Sequence, residues 1–184
     1  AFATADDDFD FDFGYTGTIT NGVAKRDPQF VDSGDAGNGV ECDNDGTGSA
    51  AQPYTHPKLF NMILIGPNTS SALANHNLGL RFRRSTQFTM KNSVVWGWMK
   101  GGLSLESNET AQFVKDGVSV FENNSVGTFN PTLNFISRAT TILTSEQLKT
   151  LALSKSNKEV DVVIPELDKP VWVNGWTRFP SKGN

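Results

Sequence analysis

The sequence predicts an all-β chain: a right-handed parallel β-helix of about four coils, closed by a short C-terminal cap containing one helix. Two observations within the sequence carry this prediction. The first is a repeated apolar–polar alternation at Phe9-Asp10-Phe11-Asp12, Val40-Glu41-Cys42-Asp43, Leu80-Arg81-Phe82-Arg83 and Leu103-Ser104-Leu105-Glu106. Side chains alternate across a strand, so each run reads as a short strand with one face buried. The second is a polar hinge followed by an apolar residue, 12 or 13 positions further on in three of the four copies: Asn21-Gly22-Val23, Asn92-Ser93-Val94 and Asp116-Gly117-Val118. In the remaining copy the hinge, Asn61-Met62-Ile63, is delayed by an inserted loop. A unit this short cannot bury its apolar face alone, and stacking on its neighbours solves the problem.

Taken in order, residues 6–26 form the first coil, with Phe9 and Phe11 inside and Asp10 and Asp12 outside. Gly14 and Gly17 permit its corner, and Thr18-Ile19-Thr20 is its next short strand. Asp6-Asp7-Asp8 reads as a polar lead-in. Residues 27–39 are a connecting loop. The second coil opens at Val40, is interrupted over residues 43–57 and resumes at Lys58. Insertions of this kind sit at corners and leave the stack intact. A third coil spans residues 79–102, and a fourth runs from Gly102 to about Asn124. The inward rows are then Phe9/Val40/Leu80/Leu103, Phe11/Cys42/Phe82/Leu105 and Val23/Ile63/Val94/Val118. Asn21, Asn61, Asn92 and Asp116 share a corner, where stacked side-chain amides can bond one another.

The coils occupy residues 1–136. Residues 137–184 break the pattern and form the cap, an expected helix at about 145–155 plus an extended tail. Thr144-Ser145-Glu146-Gln147 has the spacing of a capping box, followed by Leu148, Leu151 and Leu153. Folded back over the stack, the cap would cover an open coil end. The chain starts at Ala1 inside a patterned region, as expected of a processed chain or a fragment.

Composition limits the function classes. Among 184 residues, 37% are hydrophobic and 20% charged, which suits a soluble domain with a core. No apolar run reaches the ~20 residues of a membrane helix. Net charge is −4, and nucleic-acid binding ordinarily wants a basic domain. The charge is unevenly placed: residues 1–45 hold eleven carboxylates against Lys25 and Arg26, while residues 79–102 hold Arg81, Arg83, Arg84, Lys91 and Lys100 and no acid. The single cysteine, Cys42, reads as a small buried hydrophobe. His56 and His76 fall in loops, so no Ser-His-Asp or Cys-His set is formed.

The outward positions are the chemical candidates. In register, Asp10, Glu41, Arg81 and Ser104 form one column, and Asp12, Asp43, Arg83 and Glu106 the next. Arg81 should pair with Glu41, and Arg83 with Asp43 and Glu106. Asp10 against Glu41 and Asp12 against Asp43 are like-charged, to be relieved by Lys25, Arg26, splaying into solvent or a cation. Asp10, Asp12, Glu41, Asp43 and Asp45 are therefore the candidate Ca²⁺ ligands, although the Asp43–Gly48 loop lacks the final Glu of an EF-hand. Tyr54 and Trp98, with Arg83 and Arg84, are candidate sugar contacts. Trp98 is expected exposed at a corner and Trp96 in the core.

At ADDDFDFDFGYTG, NGVECDNDGTG and LGLRFRRS the chain resembles the later coils of secreted right-handed parallel β-helix proteins of Bacteroidetes and related bacteria, over roughly residues 5–153. The resemblance implies an extracellular or cell-surface place and a relation to pectate lyases within the wider fold; it brings no catalytic residue with it. The expected role is a non-enzymatic extracellular structural or binding module, with polysaccharide as ligand. Two alternatives stand beside it: a subunit stacking end to end with itself through open coil ends, and a Ca²⁺-dependent polysaccharide lyase.

Overall fold

The computed structural model describes residues 1–160, and these wind into a parallel β-helix. The first turn holds β1 (Phe9–Phe11), β2 (Thr18–Thr20) and β3 (Val23–Lys25). The second holds β4 (Val40–Cys42), β5 (Lys58–Phe60) and β6 (Ile63–Ile65). The third holds β7 (Leu78–Phe82), β8 (Thr89–Lys91) and β9 (Val94–Trp98). The fourth runs through β10 (Gly101–Leu105), a helix α1 (Asn108–Lys115), β11 (Val120–Glu122) and β12 (Ser125–Thr128). A fifth turn follows: β13 (Phe135–Ser137), a helix α2 (Ser145–Ser154) and β14 (Lys158–Glu159).

Like strands pair with like. The first sheet has order β1-β4-β7-β10-β13, the second β11-β8-β5-β2 and the third β14-β12-β9-β6-β3. In the first sheet Phe9 pairs with Val40 and Phe11 with Cys42. Val40 pairs with Leu80 and Cys42 with Phe82. Leu80 then meets Leu103, and Phe82 meets Leu105. Both expected rows of the first sheet are thus present, and Val40, Cys42, Leu80, Phe82, Leu103 and Leu105 are fully buried. Phe82 also stacks on Phe88 at 3.8 Å between ring centroids.

The third sheet corrects the sequence reading twice. Its core row is Ala24, Leu64, Val95 and Val126, not the row one residue earlier. Val23, Ile63 and Ile65 form a separate cluster with Trp96, and Val94 is half-buried. Hence Val94 and Trp96 point away from the core. A one-residue slip inverts every side chain of a strand, and in this sheet both alternating sets are apolar, so the pattern could not choose. The second correction concerns the fourth turn. Val94 pairs with Ser125, not Val118, because residues 108–115 form α1. Ser107 caps that helix by accepting from the Thr110 backbone N–H, and Glu109 sits favourably in its first turn.

The corner is an asparagine column of Asn21, Asn61, Asn92 and Asn123, with Asn123 in the place expected of Asp116. All four have φ between 54° and 60°. Asparagine tolerates this left-handed conformation better than most residues. Asn61 donates to Asn21 Oδ1 at 3.1 Å, and Asn123 donates to Asn92 Oδ1 at 2.6 Å. Beside it, Asn124 and Asn157 are buried and bonded to each other and to backbone.

At the first turn, Phe2 bridges Lys25 in parallel, and Ala3 N–H donates to Lys25 O at 3.0 Å. Ala1–Ala3 therefore run along the outer edge of β3. Asp8 is a structural anchor, not a lead-in: its side chain is inaccessible and lies 3.4 Å from the guanidinium of the equally buried Arg26. At the other end, the expected capping box is present in α2, with Thr144 and Gln147 exchanging bonds. Helix α2 stands between β13 and β14, where earlier turns have a strand of the second sheet. The expected tail beyond residue 160, with Trp172 and Trp176, lies outside the described residues.

Candidate functional site

The outer face of the first sheet gathers the charged residues. Pleating sends Glu41, Arg81 and Ser104 outward from the middle of β4, β7 and β10, opposite the buried rows. The ladder continues one step past the strands, with Asp43 N–H on Phe11 O, Arg83 N–H on Cys42 O, Glu106 N–H on Phe82 O and Arg138 N–H on Leu105 O. Register thus delivers two adjacent charged columns on a flat strip.

The side chains join into one chain of alternating sign. Arg84 Nη1 lies 2.8 Å from Asp43 Oδ2, and Arg83 Nε lies 2.8 Å from Asp43 Oδ1. Arg83 also bonds Glu41. Arg81 Nη1 lies 2.9 Å from Glu41 Oε2, and Arg81 Nε lies 3.0 Å from Glu106 Oε2. Arg138 Nε closes the series 3.2 Å from Glu106 Oε1. The order is Arg84, Asp43, Arg83, Glu41, Arg81, Glu106, Arg138, so each carboxylate is held between two guanidinium groups. The Arg81–Glu41 and Arg83–Asp43 pairs are those expected, whereas Glu106 binds Arg81 and not Arg83. The ends of the chain are open: Arg84 is 41% and Arg138 66% exposed at the side chain, against 18% for Arg83.

Burial raises the Glu41 carboxyl above its ordinary range, with Arg83 and Arg81 opposing the shift. Asp10 lies beside Glu41 in the turn before it, and among the described residues neither Asp10 nor Asp12 is in an ion pair. Burial and then neighbouring carboxylates (Asp12 and Asp43 for Asp10, Asp43 for Asp12) raise both. The like-charge crowding expected between the first two turns is therefore present. Arg26, expected as one possible relief, instead turns inward to Asp8, and Arg83 and Arg84 supply the opposing charge at Asp12. Asp45 stands apart: its carboxylate accepts from Thr47 N at 2.8 Å, Thr47 Oγ1 at 2.8 Å and Ser49 N at 3.1 Å, and also from the Ser49 hydroxyl. Those bonds, led by the Ser49 hydroxyl, hold it well below the usual carboxylate range. Among the described residues no group of three or more His, Cys, Asp or Glu is arranged to hold a metal ion.

The aromatic candidates separate. Tyr54 lies on the inserted loop and meets Phe113 of α1 edge-on at 5.2 Å. The loop's base is pinned by Asn44, whose amide donates to Ser49 O and Ala51 O and accepts from Thr55 N–H. Trp98 is not a surface contact; it is fully buried, and its indole N–H donates to Leu64 O at 3.2 Å. The cause is a bulge. Gly97 has φ +74°, and the register with β12 shifts, so Trp96 opposes Gly127 while Trp98 opposes Thr128. The extra residue turns Trp98 inward. Space for its ring exists because a Cβ on Gly39 would lie 2.7 Å from Trp98 Cζ2. Arg26 lies over the ring at 5.6 Å. Two elements of the face escaped sequence reasoning. Arg138 lay where the repeat was expected to have ended, and α1, which receives Tyr54, was signalled only by Ser107 before Asn-Glu-Thr-Ala.

His56 is bonded to Gln87 at 3.1 Å and Thr89 at 2.9 Å. Cys42 is buried with its thiol pushed up, chiefly by burial, and has Thr86 Oγ1 at 3.1 Å. Neither is poised as a nucleophile or a base for attack from solvent.

The chain matches the pectate-lyase-like β-helix domain family over residues 1–177, and belongs to that family. Comparison with curated proteins and comparison with solved structures each give no match.

Proposed function

We propose that this domain is a non-enzymatic extracellular module that binds polysaccharide along the outer face of its first sheet. The observation that carries the reading is the alternating chain from Arg84 to Arg138. It offers fixed donors and acceptors along a flat strip, with adjacent strands ~4.8 Å apart. An extended polyhydroxy chain meets such a strip with repeated hydrogen bonds, and bonds to charged partners are the stronger kind. Arg84 and Arg138, open to solvent at either end, are the primary contacts, and Tyr54 on the inserted loop is the remaining aromatic candidate.

Membership of a pectate-lyase-like family favours a second reading, Ca²⁺-dependent lyase chemistry using Asp10 and Asp12. Proton abstraction needs a base free to accept, and each arginine of the strip is engaged with a carboxylate. The non-enzymatic reading has the better support. End-to-end self-assembly has less, because Ala1–Ala3 already occupy the outer edge of β3.

A glycan array probed with and without Ca²⁺ tests the proposal. Binding to one polysaccharide class, weakened about tenfold or more by Arg84→Glu with the fold intact, is the expected result. No binding, or binding indifferent to Arg84→Glu and Arg138→Glu, rejects it. Ultraviolet absorbance from unsaturated uronate, appearing only with Ca²⁺ and abolished by Asp12→Asn, would establish the lyase instead.

A further inference from the structure

The asparagine column is broken in the middle. Asn61 Nδ2 donates to Asn21 Oδ1 at 3.1 Å, and Asn123 Nδ2 donates to Asn92 Oδ1 at 2.6 Å. Both bonds run from a later turn to an earlier one, so an unbroken column would have Asn92 donate to Asn61. That bond is not made. Among the described residues, Asn61 Oδ1 and Asn92 Nδ2 have no hydrogen-bond partner. The two asparagines still stand on adjacent turns, because Phe60 pairs with Lys91 just before them and Ile63 with Val94 just after. Their backbones are alike, with φ 55° at Asn61 and 54° at Asn92, and both residues are exposed. One acceptor and one donor are thus left side by side at the corner.

The break opens onto a groove of about 330 Å³, lined by Asn21, Asn61, Met62, Ile63, Asn92 and Val94. One wall is amide, the other is apolar, and no lining side chain is charged. A few placed polar groups beside apolar surface, at this volume, is the make-up of a small-molecule site.

We propose that this groove is a subsite for a neutral sugar, one of whose hydroxyls bridges the break by accepting from Asn92 Nδ2 and donating to Asn61 Oδ1. An ammonium only donates and a carboxylate only accepts, whereas a hydroxyl does both from one atom. Adjacent turns are ~4.8 Å apart, and two hydrogen bonds of about 2.8 Å each reach across that spacing through a single oxygen. The C–H face of the ring then lies on Ile63 and Val94, which removes apolar surface from water. The groove is on another face from the charged strip, and the proposal does not rest on the polysaccharide reading given to that strip.

Titration of the full, ¹⁵N-labelled chain with the methyl glycosides of glucose, galactose and mannose tests it by NMR. At least one is expected to shift the side-chain amide signals of Asn61 and Asn92 saturably. Asn92→Asp keeps an oxygen for Asn123 and tolerates the left-handed backbone, but removes the donor at the break. It should weaken the affinity about tenfold or more. Asn61→Asp keeps the oxygen that faces the break and should bind as tightly as the native chain. Arg84→Glu should also leave this binding unchanged, so the two readings fail separately. No saturable shift with any of the three glycosides means that the break holds water only and overturns the proposal. Equal losses from Asn92→Asp and Asn61→Asp overturn it as well. If Asn92→Asp does not fold, Asn92→Gly decides, since glycine adopts this φ freely: weakened binding supports the bridge, and unchanged affinity refutes it.

Discussion

The first and third sheets are built from the same turns and the same stacking, yet they treat their outer faces in opposite ways. The first keeps strict alternation, with Val40, Cys42, Leu80 and Phe82 inside and Glu41, Asp43, Arg81 and Arg83 outside. The third sets Leu64 inside and Ile63 outside, and both are nearly inaccessible. Stacking fixes which strands pair; only the outward residues decide what each face can do. One face carries paired charges, while the other is apolar.

The sharpest way to break this contrast is to place a charge on either side of one strand. Val95→Asp should abolish folding, since it buries a carboxylate among Leu64, Val126 and Trp98 without a partner. Val94→Asp, one residue away and half-buried, should leave a folded protein with a lowered melting temperature. Equal damage from both would erase the assignment of faces in the third sheet.

A smaller effect is expected on the charged strip. Glu41→Ala removes the carboxylate shared by Arg81 and Arg83. The pairs are only partly buried, so urea unfolding should show a loss of about 1–2 kcal/mol, between typical exposed and buried values. No loss would mean that the chain of ion pairs adds nothing to the fold.

Acid should act on the first turn and spare the third sheet. Burial raises Asp7 to about 7 and Asp8 to about 6, with Asn38 and Arg26 opposing. Between the unfolded carboxylate value near 4 and these values, the folded state binds more protons than the unfolded one. Stability therefore falls as pH rises across that window and levels off above it. Thermal melts from pH 4 to about 8 should show this decline, and Asp7→Asn should flatten it. A melting temperature that climbs through the same window would contradict the burial of the pair.

The smallest change is at the corner. Asn92→Ala keeps the backbone but places alanine at φ 54° and removes the acceptor for Asn123. About 1 kcal/mol should be lost, and Asn92→Gly should recover part of it because glycine adopts this conformation freely. Alanine and glycine of equal stability would show that the left-handed corner carries no strain.

These contrasts also mark what the sequence could reveal. The rows of the first sheet and the Arg81–Glu41 and Arg83–Asp43 pairs were legible because alternation there has only one side that tolerates burial, and three of the four corner asparagines were legible from the repeated hinge. The third sheet was not, because Ile63-Leu64-Ile65 satisfies either face. Trp98 was misjudged for a different reason: a bulge at Gly97 is a backbone event, and nothing in the side-chain pattern announces it. Asp116 was taken for the corner because an eight-residue helix had pushed the true corner to Asn123. In the candidate site, the Arg81–Glu41 and Arg83–Asp43 pairs between adjacent turns could be read off, whereas Arg138 could not, since its turn carries α2 in place of a strand.

That substitution governs how the solenoid could grow. Among the described residues the second sheet ends at β11, one strand short of its neighbours, with a helix parked across the next rung. Turns two and three each place a strand in all three sheets, so a copied turn set between them would find a template on every side. Past α2 the template is gone, and a chain extended there by a copied turn would lack the third side on which to seat it.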